Sequence, residues 1–251
     1  MVDPIVLAGL FFVAALLYAS VGHAGASAYL AAMAILGVSP DVARPTALAL
    51  NIVVASLVTF RFWRAGYISG RALAPFLLGS VPLAFIGGSL PVAPALYKEL
   101  LGIVLLVAAL GMAGTARRAA QSDTGRAEPH IPWLPAVLIG AAIGLMSGLT
   151  GTGGGIFLSP VLLFTGWAET RAASGIAIAF ILGNSISGLA GNLARLASVP
   201  SSLPFWAAAV VIGAVIGSEI GSRQGRGRTF LLRRALALVL AIAGMKLIFL
   251  G

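Results

Sequence analysis

The chain has 251 residues, 59% of them hydrophobic and only 9% charged, with a mean hydropathy of +1.04; about a quarter of a soluble domain is charged, so an ordinary water-soluble fold is excluded. Long apolar runs, rather than strand-like alternation, point to an all-α integral membrane protein and not to a barrel. The net charge of +9 is concentrated in a few connectors, which assigns it to membrane orientation rather than to nucleic acid, and the lack of cysteine excludes disulfides and thiol chemistry.

From Pro4 to Pro40 the run is interrupted at Gly22–Gly25, and its titratable side chains are Tyr18, His23 and Tyr29. A single helix over residues 5–37 would measure roughly 50 Å against a hydrocarbon core of about 30 Å. The stretch is therefore expected to be a broken or re-entrant helix pair meeting near the midplane. Asp41 and Arg44 mark a connector, and Pro45 starts a span that runs to Phe60. Two more spans are expected at 72–90 and 100–116. Residues 117–132 form a polar linker, which divides a first membrane repeat (1–116) from a second (133–251). The second half repeats the order: a broken pair over 133–166, then spans at 172–192, 204–222 and 230–250.

An offset of 129 brings the halves into register, placing Gly22-His23-Ala24-Gly25-Ala26 on Gly151-Thr152-Gly153-Gly154-Gly155 and Gly37 on Gly166. Orientation follows from arginine. Arg61, Arg64 and Arg71, then Arg117, Arg118 and Arg126, then Arg223, Arg226, Arg228, Arg233 and Arg234 hold 11 of the 16 basic residues in three stretches, all expected to be cytoplasmic. The first half then begins outside and the second inside, so the repeats are expected to be inverted, with both termini extracytoplasmic and substrate held between them at the midplane.

The second half carries Gly148-Leu149-Thr150-Gly151-Thr152-Gly153-Gly154-Gly155-Ile156-Phe157-Leu158-Ser159-Pro160, and the first a degenerate partner, Gly22 to Leu30. With the duplicated hydropathy, these stretches resemble the TauE/SafE family of sulfite exporters. The first half departs from a full glycine cluster at His23, Ala24 and Ala26. The resemblance implies a multi-span bacterial inner-membrane protein that moves sulfite, sulfonates or related anions, generally outward.

The residues themselves support an anion site. Each glycine cluster precedes a short helix, about 26–36 and 156–165, whose free N–H groups and positive dipole end face the break. Gly22, Gly25, Gly151, Gly153, Gly154 and Gly155 leave that backbone approachable. Ser20, Ser27, Thr150 and Thr152 would add hydroxyl donors, and no cationic side chain need be buried, an insertion costing at least ~2.5 kcal/mol at mid-bilayer. His23 either pairs with the anion or carries a proton, or it donates to a backbone carbonyl freed by the break. Asn51 and Asn184 lie inside spans beside the loops, as substrate contacts or interhelical hydrogen bonds. Isolated glycines such as Gly87, Gly88, Gly213 and Gly217 are expected to serve helix packing.

With two histidines far apart, no metal site is expected, and no cofactor is implied. Leu145 stands where an intramembrane serine protease needs glycine before Met146-Ser147-Gly148, so no catalytic constellation is read. The expected partners are a small anion and membrane lipid, with no nucleic acid; a homo-oligomer is compatible with the sequence. The function read is secondary export of sulfite or a related small anion, and the alternative is an anion channel or an importer of another small organic anion.

Overall fold

The computed structural model describes residues 3–121, 129–223 and 226–249. Of the expected linker, residues 122–128, Arg126 among them, lie outside the described residues, as do the side chains of Arg117, Arg118, Arg223, Arg226 and Arg228. Among the described residues there are ten α-helices, a short 3-10 helix and no strand. The first half contributes α1 (Pro4–Ser20), α2 (Ala26–Ile35), α3 (Pro40–Arg64), α4 (Gly70–Ser89) and α5 (Pro94–Gln121). The second contributes α6 (Trp133–Thr150), α7 (Gly155–Thr165), α8 (Thr170–Gly191), the 3-10 helix (Leu193–Ser198), α9 (Leu203–Arg223) and α10 (Arg226–Phe249). Six of these, α3, α4, α5, α6, α8 and α9, are long and apolar enough to cross a bilayer. Leu110, Leu134 and Leu238 are exposed while Asn51, Thr46, Ser80 and Asn184 are fully buried. That reverses the distribution of a soluble protein, and the chain is a multi-pass membrane protein.

Local chemistry sets the helix limits. Asp3 caps α1 by accepting the Ile5 N–H at 2.8 Å, with Pro4 in the first turn. α3 begins at Pro40, a turn earlier than Pro45, so Arg44 lies within a helix rather than in a connector. Pro45 has no N–H to give the carbonyl four residues back, and Asp41 O instead shares the Ser198 hydroxyl, at 3.0 Å, with Arg195 O, at 2.6 Å. The short helices end alike. Gly37 and Gly166 take left-handed φ of 76° and 70°, and Val38 and Trp167 donate N–H bonds back to Met33 O and Leu162 O at 2.9 and 3.0 Å.

Those pairs are 129 residues apart, and the helix packing repeats as well. α4 packs on α6 as α9 does on α1, α4 on α8 as α9 on α3, and α5 on α7 as α10 on α2; α3–α8 and α5–α10 pair across the halves. Exchanging the two sets of five helices leaves this pattern unchanged.

Small residues make the closest packing. A Cβ at Gly140, Gly144 or Gly148 of α6 would strike the carbonyls of Phe76, Ser80 and Ala84 on α4; one at Gly213, Gly217 or Gly221 of α9 would strike those of Phe12, Leu16 and Ser20 on α1. Gly87 and Gly88 are pressed in the same way on Leu145 and Gly188. Backbones this close are what small-residue faces allow in membrane helix pairs.

Candidate functional site

Both glycine clusters are helix breaks whose backbone is left-handed at matching places. Gly22 has φ 82° and Gly25 97°; Gly151 has φ 85°, Gly153 77° and Gly154 77°. Gly25 and Gly154 are the N-caps of α2 and α7, a conformation that residues with a Cβ rarely adopt.

The break between α6 and α7 is held against α3 and α8. A Cβ at Gly151 would lie 3.2 Å from Arg44 Cα; one at Gly153, 2.6 Å from Asn51 Nδ2 and 3.1 Å from Ser185 Oγ; one at Gly154, 2.8 Å from Ile143 and 3.4 Å from Asn184 Nδ2. Gly155 is pressed onto Ile181 and Ala177. The structure thus brings Asn51 and Asn184 to the same loop from facing helices. Asn51 Nδ2 donates weakly to Ser185 Oγ, at 3.4 Å, while Asn51 Oδ1 and both amide atoms of Asn184 have no hydrogen-bond partner, although both residues are fully buried.

A broken helix exposes two kinds of backbone group: carbonyls from the helix that ends and N–H groups from the helix that begins. Here three of the last four carbonyls of α6 are taken. Ser147 O accepts the Gly151 N–H at 2.7 Å, Gly148 O accepts Arg44 Nη2 at 2.9 Å, and Thr150 O accepts the Tyr97 hydroxyl at 3.0 Å. Among the described residues, the N–H groups of Thr152, Gly153, Gly154 and Gly155 donate to no protein acceptor. The loop therefore presents donors and the positive end of α7, a combination suited to an anion.

Hydroxyls contribute less than the sequence suggests. Thr150 donates to Met146 O at 2.7 Å, so at the 3.1 Å contact between Thr150 Oγ1 and Thr152 Oγ1 it is Thr152 that donates. Ser27 donates to Tyr18 Oη at 2.8 Å and Ser20 to Leu17 O at 2.7 Å. All four of these hydroxyl protons have acceptors inside the protein, whereas the Ser147 and Ser159 hydroxyls, Asn51 Oδ1 and the Asn184 amide are buried without partners.

The first break is built alike. Gly22 N donates to Ala19 O, His23 N to Tyr18 O, and the Tyr29 hydroxyl closes on Ala24 O at 2.9 Å. His23 is buried, with Nδ1 3.2 Å from Val21 O; a carbonyl only accepts, so Nδ1 carries the proton. Of the two readings of this histidine, the structure contains the bond to a freed carbonyl. Gly25 is covered by the Tyr29 ring, whose hydroxyl would lie 2.9 Å from a Cβ there.

The anion site read from the sequence needs no buried cation, yet the structure buries two, Arg44 and Arg233, which are 1% and 2% exposed. Arg44 donates to Gly87 O at 2.9 Å, Gly88 O at 3.3 Å and Leu90 O at 3.3 Å as well as to Gly148 O. It stands between the carbonyl ends of α4 and α6, where both helix dipoles favour a cation, and sequence reasoning missed it. Its role depends on residues 46 and 104 positions away, and the nearby Asp41 suggests a local pair. Asp41 in fact pairs with Arg195, Nε to Oδ1 at 3.1 Å, at the rim of a cleft of about 690 Å³ beside Pro91 and Ser198. Among the described residues no cluster of His, Asp and Glu is placed to hold a metal ion.

Comparison with known proteins agrees with this architecture. The family described as Sulfite exporter TauE/SafE matches residues 7–247. Probable membrane transporter protein y4hK of Sinorhizobium fredii is 42% identical over 248 residues, covering 98% of this chain and 99% of that protein. Probable membrane transporter protein YjnA of Bacillus subtilis is 29% identical over 259 residues, covering 97% and 98%. No solved structure gives a significant match. From a match spanning nearly its whole length, the chain belongs to the TauE/SafE sulfite exporter family of membrane transporters and is not an enzyme.

Proposed function

We propose that this protein is a secondary exporter of sulfite or a related small sulfur-containing or organic anion, held at the break between α6 and α7. The observation that carries the reading is the one-sided use of the broken backbone. Carbonyls at Ser147, Gly148 and Thr150 are bonded, whereas the N–H groups from Thr152 to Gly155 and the Asn184 amide are not. A cation site would need the reverse, with free carbonyls and buried carboxylates. An oxyanion offers several acceptor oxygens to converging N–H donors, and hydrogen bonds to a charged group are worth about 1.5 to 3 kcal/mol each.

The halves, 1–116 and 133–251, are on this reading inverted repeats joined by a cytoplasmic linker at 117–132, in a bacterial inner membrane. The exchange symmetry of the helix pairs and the arginine-rich connectors support it.

The test is sulfite flux in proteoliposomes loaded with a panel of small anions. Saturable sulfite transport by the parent protein is expected, and Gly154→Val should abolish it, because φ there is 77° and a side chain would press on Ile143 and Phe180. Melting curves with and without sulfite separate lost binding from lost folding. Folded Gly154→Val that transports sulfite normally would remove the loop from the site, and conductance without saturation would turn the reading to a channel.

A further inference from the structure

Each break has a buried arginine near it, but Arg44 at the second is bonded to helix-end carbonyls whereas Arg233, near the first, is not, and the neighbouring arginine shows that Arg233 is not merely a basic residue at a helix end. On α10, Arg234 is exposed and lays its guanidinium over Phe230, 4.4 Å from the ring centroid. Arg233, next in the chain, turns inward, is 2% exposed, and makes no hydrogen bond or ion pair among the described residues; its Nε is fully buried without a partner. Arg44, the other buried arginine, has four carbonyl acceptors. An arginine buried this far with no protein acceptor loses most of its hydration without compensation, which is destabilising on its own account.

Its surroundings indicate what it is for. α10 packs on α2, and the charge of Arg233 acts on His23, in the break that precedes α2. That break repeats the donor bias of the second one. Its carbonyls at Tyr18, Ala19, Val21 and Ala24 are bonded, while the N–H groups of Ala24, Gly25, Ala26 and Ser27 donate to no protein acceptor among the described residues. The unpartnered donors of Arg233 and the row of free N–H groups thus belong to one packed pair of elements, α10 and the start of α2.

We infer that Arg233 and the backbone donors of the first break form a second oxyanion-binding position, separate from the one at Gly151–Gly155, where a sulfite-like anion is held bidentately by the guanidinium. The fork geometry matters, since a planar guanidinium matches two oxygens of one oxyanion where an ammonium supplies a single point charge. The position lies seven residues into α10, about 10 Å along its axis from Arg226.

The inference rests on the proposal that the chain carries such anions, and the experiment keeps the two apart. Sulfite is the probe, with flux in proteoliposomes and melting of the purified protein as readouts. Arg233→Gln should raise the half-saturation concentration at least about tenfold and remove much of the stabilisation that sulfite gives the parent. Arg233→Lys should give a smaller rise of about threefold, and Arg234→Gln none. Absence of sulfite flux in the parent protein overturns the proposed function. Normal parent flux, with half-saturation and sulfite stabilisation unaltered in Arg233→Gln, overturns this position alone. Should Arg233→Gln fail to fold, unaltered half-saturation in Arg233→Lys overturns it.

Discussion

Burying an amide with neither hydrogen-bonding atom partnered costs about 1–3 kcal/mol for each unsatisfied group, and Asn184 bears that cost between α8 and Gly154. A structural amide would be expected to find a partner, as Asn192 does with Gly188 O and Arg195. Asn184→Leu, close in volume, should therefore raise the apparent stability of the substrate-free protein by about 1 kcal/mol or more, read from melting in detergent. The same change should raise the half-saturation concentration for sulfite about tenfold, the equivalent of one lost hydrogen bond of about 1.4 kcal/mol. A less stable variant with unchanged transport would make Asn184 a packing residue. The sequence placed this amide beside the loop because polar residues inside apolar spans are rare. It gave no such pointer to Arg44 or Arg233, because an arginine near a span end reads as a topology signal, and only the three-dimensional packing shows which ones turn inward.

Among the elements, the breaks and their following helices were legible to within a residue or two, because glycines stand at the five break positions that take left-handed φ and the apolar runs are too long for one crossing. The start of α3 was not. Pro45 is a good first-turn residue, yet Pro40 is another, and the carbonyl that Pro45 leaves free shares the Ser198 hydroxyl with Arg195 O. The glycines of the spans divide by contact rather than by composition. Gly217→Ala should destabilise the α1–α9 pair by about 1–3 kcal/mol, since the methyl would strike the backbone at Leu16 and neither helix can yield locally. Gly9→Ala, in the same helix pair with nothing within 4 Å of the added methyl, should be neutral or stabilise α1 by about 0.5–1 kcal/mol. Thermal melting of both variants checks the pair, and equal losses would mean that the backbone approach at Gly217 adds no constraint beyond helix propensity.

At the scale of the molecule, a packing pattern that survives exchange of the halves is compatible with parallel or inverted repeats, and the arginine count argues for inversion. Equivalent positions 129 residues apart give the sharpest test, since inversion puts them on opposite faces and parallel duplication on the same one. Ala65, in the connector just after α3, between the arginines at the end of α3 and Arg71 at the start of α4, corresponds to Ala194, in the 3-10 helix after α8, and both are exposed. The chain has no cysteine of its own, so single cysteines at these sites report without background. In intact cells an impermeant thiol reagent should label Ala194→Cys and leave Ala65→Cys unmodified until the membrane is opened. Ser201→Cys, exposed in the same outer connector as Ala194, should behave like Ala194→Cys. If Ala65→Cys and Ala194→Cys were labelled from the same side, the halves would be parallel. The two helix starts, α2 and α7, would then no longer face each other across the midplane, and an anion could not pass from Arg233 to the Gly151–Gly155 loop by alternating access between inverted halves.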